Sequence, residues 1–264
     1  MATTVMPAAF FGHGSPRITF QHNDITRVWS DFASGITRPL SIVVISAHWF
    51  INASALTAMA RPRTVHDFFY APEELYRFEY PAPGNPELVE TMIDLVRPTW
   101  LGPDVDSWGL DHGAWSLLAH LYPEADIPVV QLSVNAAMPP EYHFELGAQL
   151  APLREQGVLI LASGNIVHNG HVASEEGRAS GEFERALAFD ATVAEVMTSV
   201  PATATKLTAH QDYPLAAPTP DHFLPLLYFA GLAAAGEESA TRLIDGPGLG
   251  SVGMSSYHLG LPAA

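Results

Sequence analysis

Histidine dominates the chemistry open to this chain, which has 12 histidines and no cysteine in 264 residues. An imidazole nitrogen suits zinc or iron, and a free imidazole titrates near neutrality, so one residue type can hold a metal or move a proton. Without cysteine there is no thiolate zinc site, iron–sulfur cluster or disulfide framework, which leaves histidine and carboxylate as ligands.

Five histidines share a sequence context. His13 follows an apolar run in Phe10-Phe11-Gly12-His13-Gly14-Ser15-Pro16, where the flanking glycines permit a sharp turn. His48 ends a second run in Ile45-Ser46-Ala47-His48-Trp49, and His168 follows a third through Ser163-Gly164-Asn165-Ile166-Val167-His168-Asn169. His112, in Gly109-Leu110-Asp111-His112-Gly113-Ala114-Trp115, stands at the opening of a helical stretch. His222 closes the loop Pro218-Thr219-Pro220-Asp221-His222 before an apolar helix, with Asp221 or Thr219 as its expected cap. A lone histidine beside a turn is more often structural, so the argument rests on the five together. The other seven, His22, His66, His120, His143, His171, His210 and His258, lack this context as a set, and solvated or structural roles are expected for most of them.

A catalytic metal typically takes three protein ligands and leaves positions open for water, substrate or oxygen. Histidines beside such a metal but not bound to it can shuttle protons, and His112 and His168 are the candidates. Two chemistries stay open at this level: hydrolysis by zinc-activated water, or coordination of an organic substrate and dioxygen by ferrous iron. No His-Glu-x-x-His motif is present, and no Gly-x-Ser-x-Gly elbow.

Such residues converge only if the chain places them together. Val5 to Phe11, Ser41 to Ala47, Ile127 to Val134 and Val158 to Ala162 read as buried strands. Asn23 to Ala33, Asn85 to Leu95, Ala114 to Leu121, Glu141 to Leu153 and Gly181 to Ser199 read as helices, and Phe223 to Ala235 as a core helix too short to span a membrane. The Pro-rich stretches Tyr80 to Pro86 and Tyr213 to Pro220 read as loops. The alternation predicts a single-domain α/β sandwich over residues 1–264, with a central mixed sheet flanked by helices. In such sheets ligands collect beyond the carboxyl ends of the strands, which is where His13, His48 and His168 fall.

Hydrophobic residues are 48% of the chain and charged residues 15%, ample for a sheet buried on both faces. A formal net charge of −16 repels phosphate backbones and anionic lipid heads, so neither nucleic acid nor a membrane is an expected partner. Met1 to Phe11 has no basic flank of a secretory signal, and a cytoplasmic location is the expectation.

With these motifs in order along nearly the whole chain, together with His66-Asp67-Phe68-Phe69-Tyr70, the sequence resembles the class III extradiol ring-cleavage dioxygenases, in particular the 4,5-DOPA extradiol dioxygenase branch. The resemblance implies a non-haem Fe(II) enzyme that chelates a catechol through adjacent hydroxyls, binds O2 beside it and cleaves the ring outside the diol to a muconic semialdehyde. Carried over by residue, it implies His13, His48 and His222 as metal ligands. His168 becomes the acid–base residue or a fourth, exchangeable ligand, and His112 a substrate-placing catalytic residue. Trp49, Asn165 and Phe69 join His112 as expected substrate contacts, with Phe68, Tyr70, Trp115 and Phe223 as further aromatic neighbours. Arg17, Arg61, Arg63 and Arg77 are the cations nearest the motifs that could pair with a substrate carboxylate.

Many enzymes of this class complete the ligand set with a carboxylate, where this sequence offers His222. An all-histidine set leaves a larger positive charge, which favours a catecholate and makes Zn(II) a competitor for the same site. A non-enzymatic binding protein of the same superfamily is the second reading and a zinc hydrolase the third. A tetrapyrrole chelatase fits only the first turn. Oligomeric state is not legible in the sequence.

Overall fold

In a computed structural model, which describes residues 5–246 and 253–261, one eight-stranded mixed sheet runs through the molecule. Residues 1–4 of the opening stretch lie outside the described residues. The strands are β1 (Ala8–Gly12), β2 (Ser41–Ile51), β3 (Ala55–Thr57), β4 (Gly102–Asp104), β5 (Val129–Asn135), β6 (Val158–Gly164), β7 (Thr241–Ile244) and β8 (Ser256–Leu259), in the spatial order β4-β3-β5-β2-β6-β1-β8-β7.

The four central strands β5, β2, β6 and β1 are parallel, so their carboxyl ends lie along one edge. They are the four runs read from sequence as strands, and they are buried almost throughout, as expected of a sheet covered on both faces. The short outer strands β3, β4, β7 and β8 are additions to that reading. Three of them carry Gly, Pro, Ser or charged residues in place of an apolar run, and β8 and β7 join antiparallel beside β1.

Side chains alternate across the sheet with the strand period. Ala8, Phe10, Val43, Ile45 and Ile160 face the helices Pro86–Leu95, Pro140–Leu150, Glu182–Ser199 and Leu224–Ala235. Ala9, Phe11, Ile42, Val44, Leu159 and Leu161 face Asp24–Ser34 and His112–Leu121. The result is a three-layer α/β sandwich.

Helix ends follow local chemistry. Asn23 caps Asp24–Ser34 through a reciprocal pair with Thr26, and Asn85 caps Pro86–Leu95. Leu224–Ala235 is apolar all round and buried over its first ten residues. It lies unusually close to Pro140–Leu150: a Cβ on Gly231 would stand 2.0 Å from the Phe144 carbonyl oxygen, and one on Gly147 2.1 Å from that of Tyr228. Within the Tyr213–Pro220 stretch, Tyr213–Ala216 forms a single helical turn where a loop was expected.

Candidate metal centre

Five imidazoles meet at the carboxyl edge of the parallel strands. His13 is the first residue after β1, and Gly14 at φ +68° turns the chain away behind it. His48 lies within β2 rather than at its end. The pairing of β2 with β6 stops at Ser46, and its register with β5 shifts between Ile45 and Phe50, an irregularity that re-aims the side chains between them. His112 opens its helix behind the N-cap Asp111. His168 lies beyond β6, its backbone N–H donating to the Ala216 carbonyl.

His222 is fixed by close backbone approach. The Asn165 N–H donates to its carbonyl at 2.9 Å, and a Cβ on Gly164 would stand 2.2 Å from that oxygen, so only glycine lets the loop lie this tightly on the end of β6. Its expected cap is corrected by the structure: the helix starts at Leu224 with no side-chain cap, and the Asp221 carboxylate instead accepts from His222 Nδ1.

The ring centroids of His13, His48 and His222 lie 5.0, 5.3 and 4.9 Å apart in pairs. His112 is 3.8 Å from His48 and 5.7 Å from His13, while His168 stacks on His222 at 3.5 Å. Two groups have donor atoms close enough to share an ion: His13, His48 and His112, and His168, Asp221 and His222.

Four of the rings have Nδ1 committed to an acceptor. The Ser163 hydroxyl donates to the Gly113 carbonyl at 2.6 Å and so accepts from His13 Nδ1 at 3.0 Å. Asp67 accepts from His48 Nδ1 at 2.8 Å and from His112 Nδ1 at 3.0 Å, and Asp221 from His222 Nδ1. A neutral imidazole protonated at Nδ1 keeps its lone pair on Nε2. The Nε2 atoms of His13 and His48 face one another at 3.0 Å, close to the separation of two cis nitrogens each about 2.1 Å from one metal. Outer partners that set ring orientation in this way are typical of metal-bound histidine.

The electrostatics follow from burial and the two carboxylates. Burial lowers the pKa of His13 well below the ordinary histidine value, reinforced by the other four imidazoles. Burial, opposed by Asp221, brings His222 down to about 4. His112 and His168 are also lowered, mainly by burial. His48 is the exception: burial is outweighed by its bond to Asp67 and the charges of Asp111, Asp67 and Asp221, and its pKa rises. Burial alone would raise Asp67, yet the bonds from His112 and His48 hold it well below the usual carboxylate range, and Asp221 behaves alike. The positive charge expected of an all-histidine set is therefore offset by two anions standing directly behind the rings.

The expected substrate contacts separate. His112 is in the cluster. Asn165 is fully buried, its amide donating to the Gly253 carbonyl at 2.7 Å, while its Oδ1 meets no donor among the described residues. Trp49 is buried in a parallel stack with Trp108. Phe69 is 88% exposed, and it is Phe68 whose ring packs on His112, 5.6 Å between centroids, and on Trp115. Arg17, Arg61, Arg63 and Arg77 are all exposed, and Arg77 pairs with Glu73.

Asp67, Asp221 and Ser163 are thus parts of the site whose roles the sequence did not disclose, while Phe68 was expected among the aromatic neighbours. The quoted His66-Asp67-Phe68-Phe69-Tyr70 motif contains Asp67, so membership of that motif was the available signal for it. Among the described residues no helix is long and apolar enough to cross a membrane.

Residues 7–255 match the family model described as the catalytic LigB subunit of aromatic ring-opening dioxygenase. A curated relative named 4,5-DOPA dioxygenase extradiol, from Escherichia coli (strain K12), is 42% identical over 98% of this chain and 97% of its own. One of the same name from Beta vulgaris is 37% identical over 89% of each. A crystal structure of an uncharacterized protein from Escherichia coli K12 superposes with a TM-score of 0.75 at 35% identity, over 96% of this chain and 99% of that one.

Proposed function

Because the chain belongs to the family of catalytic LigB subunits of aromatic ring-opening dioxygenases and is an extradiol dioxygenase, we propose that it opens a DOPA-like or related substituted catechol at a divalent metal held by His13, His48 and His222. The observation that carries this reading is the convergence of imidazoles whose Nδ1 atoms are tied to Ser163, Asp67 and Asp221, with the Nε2 atoms of His13 and His48 facing one another at 3.0 Å and the His222 ring centroid 5.3 and 4.9 Å from theirs. A neutral nitrogen donor set of this kind suits ferrous iron and also zinc, and Fe(II) is the proposed working metal, with Zn(II) able to occupy the same site.

A metal held by these residues would supply the one-electron chemistry that an organic ring and triplet oxygen lack on their own. The chain's own groups do the rest. His168, neutral near pH 7 because burial depresses its pKa, can accept a proton from a substrate hydroxyl and return it later. His112 shares Asp67 with His48 and, with Nδ1 donating to that carboxylate, can accept a hydrogen bond from a substrate hydroxyl through Nε2. Phe68 and Trp115 back His112 with apolar surface that would lie against an aromatic ring and keep water out.

The test is oxygen uptake by metal-free protein reloaded anaerobically with Fe(II) and given a panel of catechols. Consumption of one O2 per catechol with a yellow ring-opened product is expected, and zinc-loaded protein should be silent. No uptake with any catechol at full iron occupancy would refute the assignment.

A further inference from the structure

Asp67 stands where two of the five imidazoles are set by one group. Its side chain is 10% exposed, and among the described residues its ion-pair partners are His48 and His112 alone. His48 Nδ1 approaches one carboxylate oxygen at 2.8 Å, and His112 Nδ1 lies 3.0 Å from each oxygen. The backbone N–H of His112 donates to Oδ1 at 3.0 Å as well.

The segment carrying Asp67 is itself stitched to the His112 segment. Val65 N–H donates to the Leu110 carbonyl at 2.7 Å, Thr64 and Leu110 form a parallel bridge, and Trp115 Nε1 donates to the Val65 carbonyl at 3.0 Å. The carboxylate therefore arrives in register with both rings.

We propose that Asp67 is a positioning residue that fixes His48 and His112 together as Nδ1-protonated tautomers, so that one carboxylate leaves Nε2 bare on both the metal-side ring and the substrate-side ring. An ionised carboxylate only accepts hydrogen bonds, so each ring nitrogen facing it must carry the proton. Both tautomers follow from that single requirement. An amide at this position has one accepting oxygen and one donating nitrogen. It can serve one ring as Asp67 does, but it forces the other to present a bare Nδ1 and to carry its proton on Nε2, where that proton blocks a metal or a substrate proton.

The inference about metal affinity rests on the reading of His48 as a ligand, whereas the tautomer claim does not. Protein labelled with 15N-histidine, stripped of metal and taken up in pH until the ring shifts no longer change, gives ring-nitrogen shifts that identify the protonated atom of each neutral ring directly. His48 and His112 are expected to be protonated at Nδ1 in the unaltered protein, and finding either protonated at Nε2 overturns the proposal. In Asp67→Asn one of the two rings is expected to switch tautomer, and Zn(II) affinity, measured by competition with a chromogenic chelator, to fall about 10- to 100-fold. Retention of both tautomers in that variant overturns the proposal too. Should Asp67→Asn not fold, the shifts in the unaltered protein still decide. His48→Ala separates the two readings: if it binds Zn(II) like the unaltered protein, the ligand assignment fails while the tautomer result stands.

Discussion

The ring of His168 lies flat on that of His222, centroids 3.5 Å apart and planes within 5° of parallel. His222 has its Nδ1 held by Asp221, and His168 is held through its backbone and this stacking contact. A ring attached in that way can move slightly without disturbing the imidazoles beneath it. His168→Ala is expected to keep most of its metal while kcat falls about 10²- to 10⁴-fold. Metal content by emission spectroscopy, measured beside turnover, checks this, and normal turnover would remove the assigned role.

His48→Ala should behave differently. Its ring meets His13 at 3.0 Å and Asp67 at 2.8 Å, so its removal deletes a donor and frees the carboxylate behind it. Metal and activity are expected to disappear together, with equilibrium dialysis reading the first and oxygen uptake the second.

The neighbouring phenylalanines predict a contrast. Phe68 packs on His112, Trp115 and Tyr76, whereas Phe69 is 88% exposed. Phe68→Ala is expected to raise KM for a catechol about tenfold or more, and Phe69→Ala to change it less than about threefold. Steady-state kinetics with both variants would reverse the assignment if Phe69 proved the more sensitive position.

Acid sensitivity follows from His143, a fully buried ring bonded to the Tyr228 hydroxyl and brought down to about 4 by burial, with the Met138 and Asn135 backbone opposing weakly. Its folded pKa lies below the unfolded value, so the unfolded chain takes the proton first. The stability that the neutral ring provides is complete above about pH 6.5 and is lost as pH falls toward 4, about 3 kcal/mol in all. Urea unfolding of the metal-free protein should show this slope, and it should be shallower in His143→Gln. Equal slopes would sink the prediction.

Gly231→Ala tests the helix contact behind the site. Helix propensity alone favours alanine by about 1 kcal/mol, but the added methyl would meet the Phe144 carbonyl oxygen at 2.0 Å. A net loss of about 1–3 kcal/mol is expected from the urea midpoint, and a gain would show that the two helices can separate without cost.

The central strands were legible because burial on both faces demands uninterrupted apolar runs, and Ile42 to Ile45 or Leu159 to Leu161 can be little else. Ala55–Thr57 and Gly102–Asp104 were not, because three residues carry no period and their pairing depends on neighbours far along the chain. Histidines at strand ends were visible for the same topological reason. Asp67 was assigned no role and Asp221 was read as a helix cap, since a carboxylate near an imidazole in sequence looks the same whether it faces the ring or the solvent. Phe68 and Phe69 illustrate the limit further: adjacent residues point apart, and a Phe-Phe-Tyr run offers no rhythm by which to choose between them.

The position of β1 has a consequence for how the protein is made. This first strand lies inside the sheet between β6 and β8, whose residues Val158–Gly164 and Ser256–Leu259 come late in the chain, and His13 meets His222 only across 209 positions. During synthesis at about 5–20 residues per second, the earliest strand must wait many seconds for its neighbours. On the proposed function, no ion can be held by His13, His48 and His222 together until His222 has cleared the ribosome, which would make metal uptake a late event in the life of each molecule.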